Sequence, residues 1–402
     1  MKQLPKKIQA LLITQLLFNI GFYLVVPFIA VELSNNLGAS GVVVGLVLGV
    51  RTFSQQGMFF LGGGLADRFG AIKVLLVGVA LRVVGFLVTG LATSVPMVFL
   101  GVVLIGFAAA LFSPAVESLL AGGGAELEKQ GVCTRAQLFA LDESYSRLGS
   151  LTGPVIGALL IPIGFSAVSF AGAAIFAGIF VMHLLLARRW EGVHSAGGSM
   201  TAAWGRILRN RAFIVFAVFY STYLLAYNQQ YLALPVELRR ATGSDEYLSW
   251  FFVISAVFVI GLQTTVTKWA EKLPLGVAIG GGFGLMAFAF AIIAVCAPIR
   301  MEGWWAFAPA VTMLLVMHLG MMIAVPIAKD LVGKLTGNRD LGSAYGFLNS
   351  FGGLAVLMGS IVVGATLDWA ETPQLLAAAP WAIMTVLLLI SAVGLIKLRQ
   401  QH

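Results

Sequence analysis

Apolar runs of about twenty residues or more recur along this chain, and most carry almost no charge. A water-soluble globule cannot hide that many runs of that length. Hydrophobic residues make up 59% of the 402 residues and charged residues only 10%, with a mean hydropathy of +0.95. Soluble domains are about a quarter charged, so the solvent for these side chains is lipid. Lipid offers the backbone no hydrogen bonds. A spanning segment must therefore pair its own N–H and C=O groups as a helix, or close into a barrel. The runs show no strict alternation and predict helices.

Hydropathy and turn signals together predict twelve spans, at about 8–33, 40–62, 72–92, 96–120, 135–162, 166–189, 212–237, 247–268, 275–297, 304–329, 341–367 and 375–397. The first run follows Lys2, Lys6 and Lys7 and extends from Ile8 to Val31. It is too long for a signal-peptide core, and no small-residue cleavage site follows it, so a retained span is expected. Positive charge tests the layout, because cytoplasmic loops hold most Lys and Arg. With the N-terminus inside, 19 of the 25 Lys and Arg fall on the cytoplasmic side. Only Arg239, Arg240 and Arg300 fall outside, and Arg51, Arg82 and Arg147 lie within spans. An all-α polytopic membrane protein with both ends cytoplasmic is expected. The formal charge of +8 follows this topology, so no nucleic-acid partner is expected. Cys133 and Cys296, the two cysteines, give neither a disulfide framework nor a metal site, and no metal or cofactor is expected.

One long polar connection, from Trp190 to Arg211, divides the chain, and the two parts echo each other. Pro27 near the end of span 1 corresponds to Pro235 in span 7. Pro114 with Glu117 in span 4 corresponds to Pro326 with Lys329 in span 10, and Asp67-Arg68 corresponds to Glu271-Lys272. The pattern predicts two pseudo-symmetric six-helix bundles, 1–189 and 212–402, joined by a cytoplasmic linker at 190–211.

Two motifs then add a resemblance. Gly63, Asp67, Arg68, Gly70 and Lys73 form Gly-x-x-x-Asp-Arg-x-Gly-x-x-Lys between spans 2 and 3, and span 5 carries Gly149-x-x-x-Gly153-Pro154-x-x-Gly157. On these the chain resembles the major facilitator superfamily over its whole length, and its twelve-helix drug:proton antiporters in particular. Two positions depart from the family pattern: Ala71 stands where a basic residue is usual, and Val102 stands four residues before Gly106 where an arginine is frequent. The resemblance implies a secondary active transporter that exports amphipathic small molecules by alternating access, with protons and the lipid bilayer as its other partners. A monomer is expected. The short tails and tight loops point to a bacterial cytoplasmic membrane.

Each motif has a physical reading. The Gly63–Gly70 run is expected to be a short charged hairpin with Asp67 at its tip. A carboxylate there can dock on a helix N-terminus, where free N–H groups favour negative charge. The resemblance places that partner at the start of span 11, between Asn338 and Gly342, and makes the contact a cytoplasmic gate. Glu117 at the end of span 4 joins the gate by the same resemblance, although Ala71 removes its usual partner. Gly149, Gly153 and Gly157 share one helix face and allow a neighbouring backbone to come close, and Pro154 removes a hydrogen bond beside them.

Ionisable groups inside spans are costly in hydrocarbon and become functional candidates. Glu143 and Arg147 are spaced to pair on one face of span 5, which leaves Asp142 as the freer carboxyl and the first candidate for proton coupling. Glu143, Glu32 and His318 come next. Arg51 and Arg82, mid-span in spans 2 and 3, either pair with these acids or attract an anionic substrate. Polar stripes suggest the substrate cavity: Gln15, Asn19 and Tyr23 on span 1, Tyr220, Tyr223, Tyr227, Gln230 and Tyr231 on span 7, and Arg51. Tyrosines offer apolar area, a polar tip and a face for cations.

Other functions fit less well. There is no GxxxxGK[ST] phosphate loop, so an ion gradient is the expected energy source, proton or sodium. Ser166 and His183, the residues closest to a serine-protease pair, would sit about 25 Å apart on one helix, so an enzyme is not expected. A transporter-like sensor would carry an extra signalling domain, and none is seen. The remaining rival is a dedicated exporter or proton symporter of one metabolite, lipid or siderophore.

Overall fold

The computed structural model describes residues 4–186, 199–243, 247–370 and 372–398. Lys2, Arg188, Arg189 and Arg399, together with residues 190–198 of the expected linker, lie outside the described residues. The described residues form helices and turns, with no strand among them.

The helices are α1 (Lys6–Val31), α2 (Gly41–Gln56), α3 (Phe59–Phe69), α4 (Ala71–Gly90), α5 (Val95–Lys129), α6 (Arg135–Leu160), α7 (Phe165–Leu185) and α8 (Met200–Arg209). They continue as α9 (Arg211–Leu232), α10 (Leu234–Thr242), α11 (Leu248–Ala270), α12 (Leu275–Cys296), α13 (Ala308–Leu335), α14 (Leu341–Gly364) and α15 (Ala379–Leu398). Among the described residues, eleven helical stretches are long and apolar enough to cross a membrane. The twelfth apolar run is the second, and it is not one helix. It divides into α2 and α3, of 16 and 11 residues, at Gly57 and Met58, where Met58 adopts φ −110° and ψ 7°.

That break corrects the expected hairpin. The chain from Gly63 to Phe69 is helical, so Asp67 and Arg68 sit in the last turn of α3 rather than at a loop tip. Gly70 alone makes the turn into α4, with φ +94°, a conformation that a side chain disfavours. The glycines before it serve close packing instead: a methyl built on Gly62 would overlap the carbonyl of Ala110 on α5.

Several helices outrun their apolar stretch. Helix α5 reaches Lys129, past the expected end near 120, and α13 reaches Leu335, past 329. Hydropathy marks where lipid ends, whereas a helix ends where its caps are. After α5 the chain turns at Gly131, φ +70°, and after α13 at Gly337, φ +60°. The paired prolines also act differently. Pro27 lies inside α1, but Pro235 starts the new helix α10, whose first turn needs no N–H from it.

Contacts sort the chain into two compact units: Met1–Asn210 with Val332–Ser350, and Arg211–Leu331 with Phe351–His402. In the first, α4 packs on α5 and α7, and α1 packs on α6 and α7. In the second, α15 packs on α12 and α9, and the α12–α13 crossing brings Gly282 against Gly320. The C-terminal end of α13 and the first turns of α14, Val332–Ser350, belong to the first unit, and this places the Gly63–Lys73 motif and its partners in one body.

Candidate functional site

Asp67 is held by the start of α14. Its Oδ1 accepts the Gly342 N–H at 2.8 Å and its Oδ2 accepts the Ser343 N–H at 2.7 Å. These are among the first amides of that helix, which have no carbonyl of their own to meet. The expected docking at a helix N-terminus is present, two residues further along than the centre of the expected range. Gly63 makes the approach possible: a methyl there would overlap the Gly342 carbonyl and lie 3.1 Å from the Ser343 Cα. Burial pushes the Asp67 carboxyl above its usual range, against the opposing pull of the Gly342 and Ser343 donors. Arg68 stacks over Phe69, and both Arg68 and Lys73 are exposed.

A polar network surrounds that contact. Asp340 receives Arg206 of α8 through two bonds, Nε at 2.7 Å and Nη2 at 2.9 Å, and this partner raises the already high Arg206 pKa. Arg135 Nη1 donates to Asn338 Oδ1 at 2.7 Å. Asn338 and Asp340 both have positive φ, 56° and 50°, in the turn that carries them. Glu117, whose usual partner is missing, accepts from Asn349 Nδ2 at 2.6 Å. The Phe60 amide at the start of α3 donates to Ser350 Oγ at 3.2 Å. Asn349, Ser350, Arg206 and Arg135 were not singled out by sequence reasoning. Their partners lie 134 to 290 positions away along the chain, and nothing local marks such pairs.

The glycine seam of span 5 lies on α1. A methyl on Gly149 would fall 2.5 Å from the Leu16 carbonyl oxygen, one on Gly153 2.7 Å from that of Ile20, and one on Gly157 against that of Leu24. Helix α6 runs unbroken through Pro154. The seam also holds the span 1 stripe in place. Asn19 Cβ and Tyr23 Cβ are the next atoms that Gly149 and Gly153 would meet, and Asn19 Nδ2 donates to the Gln15 carbonyl.

The acids are placed as follows. Glu143 pairs with Arg147 at 2.8 Å. Asp142 is buried, with 5% exposure. Glu32 lies in a short π-helical turn, where Asn36 Nδ2 donates to it at 2.5 Å. His318 is buried in α13, with its ring 6.2 Å from that of Tyr227. His183 is not near Ser166 but pairs with Thr14 through Nε2 at 2.7 Å.

The span 7 stripe divides. Tyr227 and Tyr231 join hydroxyls at 3.1 Å, and Tyr223 is half-buried on the same side. Tyr220 is a correction. It is 1% exposed, packed among Phe216, Tyr223 and Phe283 of α12, and is therefore a core residue rather than an open cavity wall. Gln230 is likewise buried, at 2% exposure. A tyrosine at helical spacing carries enough apolar area to serve either role, so spacing alone does not separate them. Arg51 is half-buried on α2, with Nη1 3.3 Å from Gln55 Oε1 and Nη2 3.2 Å from Thr52 Oγ1. Both cysteines are free, and no group of metal-ligating side chains occurs among the described residues.

Comparison with known proteins gives the same family as the motifs. The family model described as Major Facilitator Superfamily matches residues 11–360. An uncharacterized MFS-type transporter of Mycobacterium tuberculosis (strain ATCC 25618 / H37Rv) is 32% identical over 374 residues, covering 90% of this chain and 86% of that protein. Multidrug resistance protein MdtH of Cronobacter sakazakii is 28% identical, covering 94% and 90%, and MdtH of Sodalis glossinidius is 27% identical, covering 98% and 93%. Among solved structures, the E. coli fucose:proton symporter FucP aligns with a TM-score of 0.70 at 15% identity, over 96% of this chain and 98% of that one. The protein is thus a multi-pass membrane transporter of small molecules with the twelve-helix fold of two related bundles, and the chain belongs to the Major Facilitator Superfamily.

Proposed function

We propose that this transporter is a proton-coupled antiporter that exports amphipathic small molecules. The observation that carries the reading is its similarity to multidrug resistance proteins over 94% to 98% of the chain. The main-chain seam at Gly149, Gly153 and Gly157 supports it, because this motif is the one that resembles the drug:proton antiporters. The protein is proposed to act as a monomer in a bacterial cytoplasmic membrane with both chain ends inside.

In this reading the Asp67 carboxylate on the amides of Gly342 and Ser343 is the cytoplasmic latch, with Glu117–Asn349 beside it. Alternating access requires the latch to open and reform in each cycle. Asp142 is the proton carrier, since Glu143 is already neutralised by Arg147. Gln15, Asn19, Tyr23, Tyr223, Tyr227 and Tyr231 contact the substrate. Their amide and phenol groups on apolar helices suit a bulky amphipathic ligand better than a sugar.

The test is proteoliposomes loaded with a pH-sensitive dye, given amphipathic compounds under an imposed proton gradient. The expected result is substrate-dependent proton movement that disappears in Asp142→Asn and persists in Glu143→Gln. Coupling unchanged in Asp142→Asn moves the proton site to Glu143, Glu32 or His318. Proton movement in the same direction as substrate, or none with any amphipathic compound, overturns the antiporter reading.

A further inference from the structure

Arg82 is 1% exposed, and none of its three side-chain nitrogens has a hydrogen-bond partner. Ring faces surround it. Its Cζ lies 4.3 Å from the ring of Phe18 and 5.0 Å from that of Phe22 on α1, 5.1 Å from Phe176 on α7 and 5.9 Å from Phe86 on its own helix. Arg51 also lies over Phe22, with its Cζ 5.3 Å from the same ring, and its buried Nε is also unpaired. Two cations thus share one aromatic ring inside the apolar part of one unit, and their charges repel. Neither pairs with an acid among the described residues. Other carboxylates of that unit are bound elsewhere, among them Asp67 by amides, Glu117 by Asn349, Glu143 by Arg147 and Asp340 by Arg206.

An unpaired guanidinium in hydrocarbon is among the costliest arrangements a chain can hold. The ring faces recover part of that cost through their quadrupoles. They are only weak acceptors for N–H groups, and the planar fork of donors matches a carboxylate far better. The surroundings also fit the rest of such a ligand. Phe22 meets Tyr23 edge to face at 5.0 Å, and both are half-buried, so an apolar ring system can lie against them while its acid reaches between the two arginines.

We infer that Arg51 and Arg82 bind the acidic group of an amphipathic organic anion, with Phe22 and Tyr23 against its apolar body, so that the substrates include aromatic carboxylates. The inference rests on the export reading for its direction, but the binding step stands alone. Phe22, which lies against both cations, swings aside to bring both guanidinium groups onto one acid. Arg51 is the outer contact and Arg82 the inner one.

The experiment uses reconstituted full-length protein and two fluorescent probes of nearly equal shape, dansylglycine and its methyl ester. The wild type is expected to bind the acid at least about tenfold more tightly than the ester, the gain of one good charge-assisted contact. Arg51→Gln and Arg82→Met are each expected to bring that ratio to within about twofold. Arg300→Gln removes an exposed cation elsewhere and is expected to keep the wild-type ratio. Equal binding of acid and ester by the wild type overturns the inference, as does a preference kept in both core variants. Where Arg82→Met does not fold, the wild-type ratio and Arg51→Gln decide. An arginine-dependent preference without any proton-driven movement keeps the site and sinks the antiporter reading. Proton-driven export of a cation such as ethidium, with no preference for the acid, does the reverse.

Discussion

Each half of the chain has a seam where a glycine-bearing helix lies on the first helix of that half, and the two seams are made of different material. Gly149, Gly153 and Gly157 of α6 rest on the main chain of α1, at the carbonyls of Leu16, Ile20 and Leu24. Gly352 and Gly359 of α14 rest on α9, but the atoms they face are the side chains of Leu224 and Leu225. A leucine side chain can change rotamer, and a helix carbonyl cannot move without breaking its ladder. The first seam therefore behaves as a fixed joint and the second as a compliant one. A transporter that cycles between states needs both kinds: one surface that keeps its register and another that can repack.

The largest expected effect tests the fixed joint. Gly153→Ala puts a methyl 2.7 Å from the Ile20 carbonyl oxygen, and overpacking of this kind costs about 1–3 kcal/mol. Thermal unfolding of purified protein in detergent should show a clear drop for Gly153→Ala, and Gly153→Leu should not give a folded monodisperse peak. A neutral Gly153→Ala would break the comparison at its root.

The compliant joint gives the next step down. Gly359→Ala meets Leu225, which is buried but rotatable, so the loss should stay below about 1 kcal/mol. Gly352→Ala meets Leu224 Cδ2 at 2.9 Å, and Leu224 is half-buried, so a change within about 0.5 kcal/mol is expected. The same melting assay orders the three alanines. An order in which Gly352→Ala costs as much as Gly153→Ala would show that the leucines are locked in place.

How much of this could be read from the chain alone varies with the range of the interaction. The spans were legible because lipid enforces a long apolar run for each helix. The motif glycines were legible too, but their jobs were not. Gly63 and Gly70 look alike in sequence, yet Gly70 supplies a positive φ and Gly63 lets α3 touch Gly342. The break at Gly57 and Met58 left no hydropathy signal, because both sides of it are apolar. It reflects α3 turning its glycine face to α5 and to the start of α14, a tertiary demand. Asn349 as the partner of Glu117 is a pair 232 residues apart. Tyr220 was misplaced because its spacing fits a stripe while Phe283, on another helix, decides its burial.

Another close main-chain contact is the crossing at Gly63 and Gly342, which Asp67 ties down and which, unlike the seam between α1 and α6, is proposed to open. Asp67→Asn keeps one acceptor but puts an amide against the second N–H. The loss of a charged bond is partly offset by relief from burying the charge, so global stability should change little. The local readout is hydrogen exchange. The amides of Gly342 and Ser343 should exchange about tenfold faster in the variant, while those of the α1–α6 seam stay protected. Unchanged protection at Gly342 would mean that the glycine crossing alone holds α14, without help from the carboxylate.

The smallest effect is a dependence on pH, and its sign is set by burial. Desolvation raises the folded pKa of Asp67 above its usual 3.8, the N–H donors of Ser343 and Gly342 lower it, and the charge of Asp340 adds a further upward push. A raised folded pKa means that the neutral acid is favoured in the native state. Its contribution to stability is complete below 3.8 and is lost as pH rises through the folded value. The melting temperature of the wild type relative to Asp67→Asn should therefore fall by a degree or so, about what a fraction of a kcal/mol gives in a chain of this size, as pH rises through that window. The latch should respond in the opposite direction. A protonated carboxyl is a weaker acceptor than a carboxylate, so the acid that favours the fold also loosens the bonds to Gly342 and Ser343. Once exchange is corrected for its intrinsic pH dependence, protection at these two amides should decline on the acid side while the melting temperature holds. If both readouts move together, Asp67 acts through the whole fold and is not a latch. If they separate, the carboxylate is a local tie at the Gly63–Gly342 crossing, and protonation can release it without loosening the seam between α1 and α6.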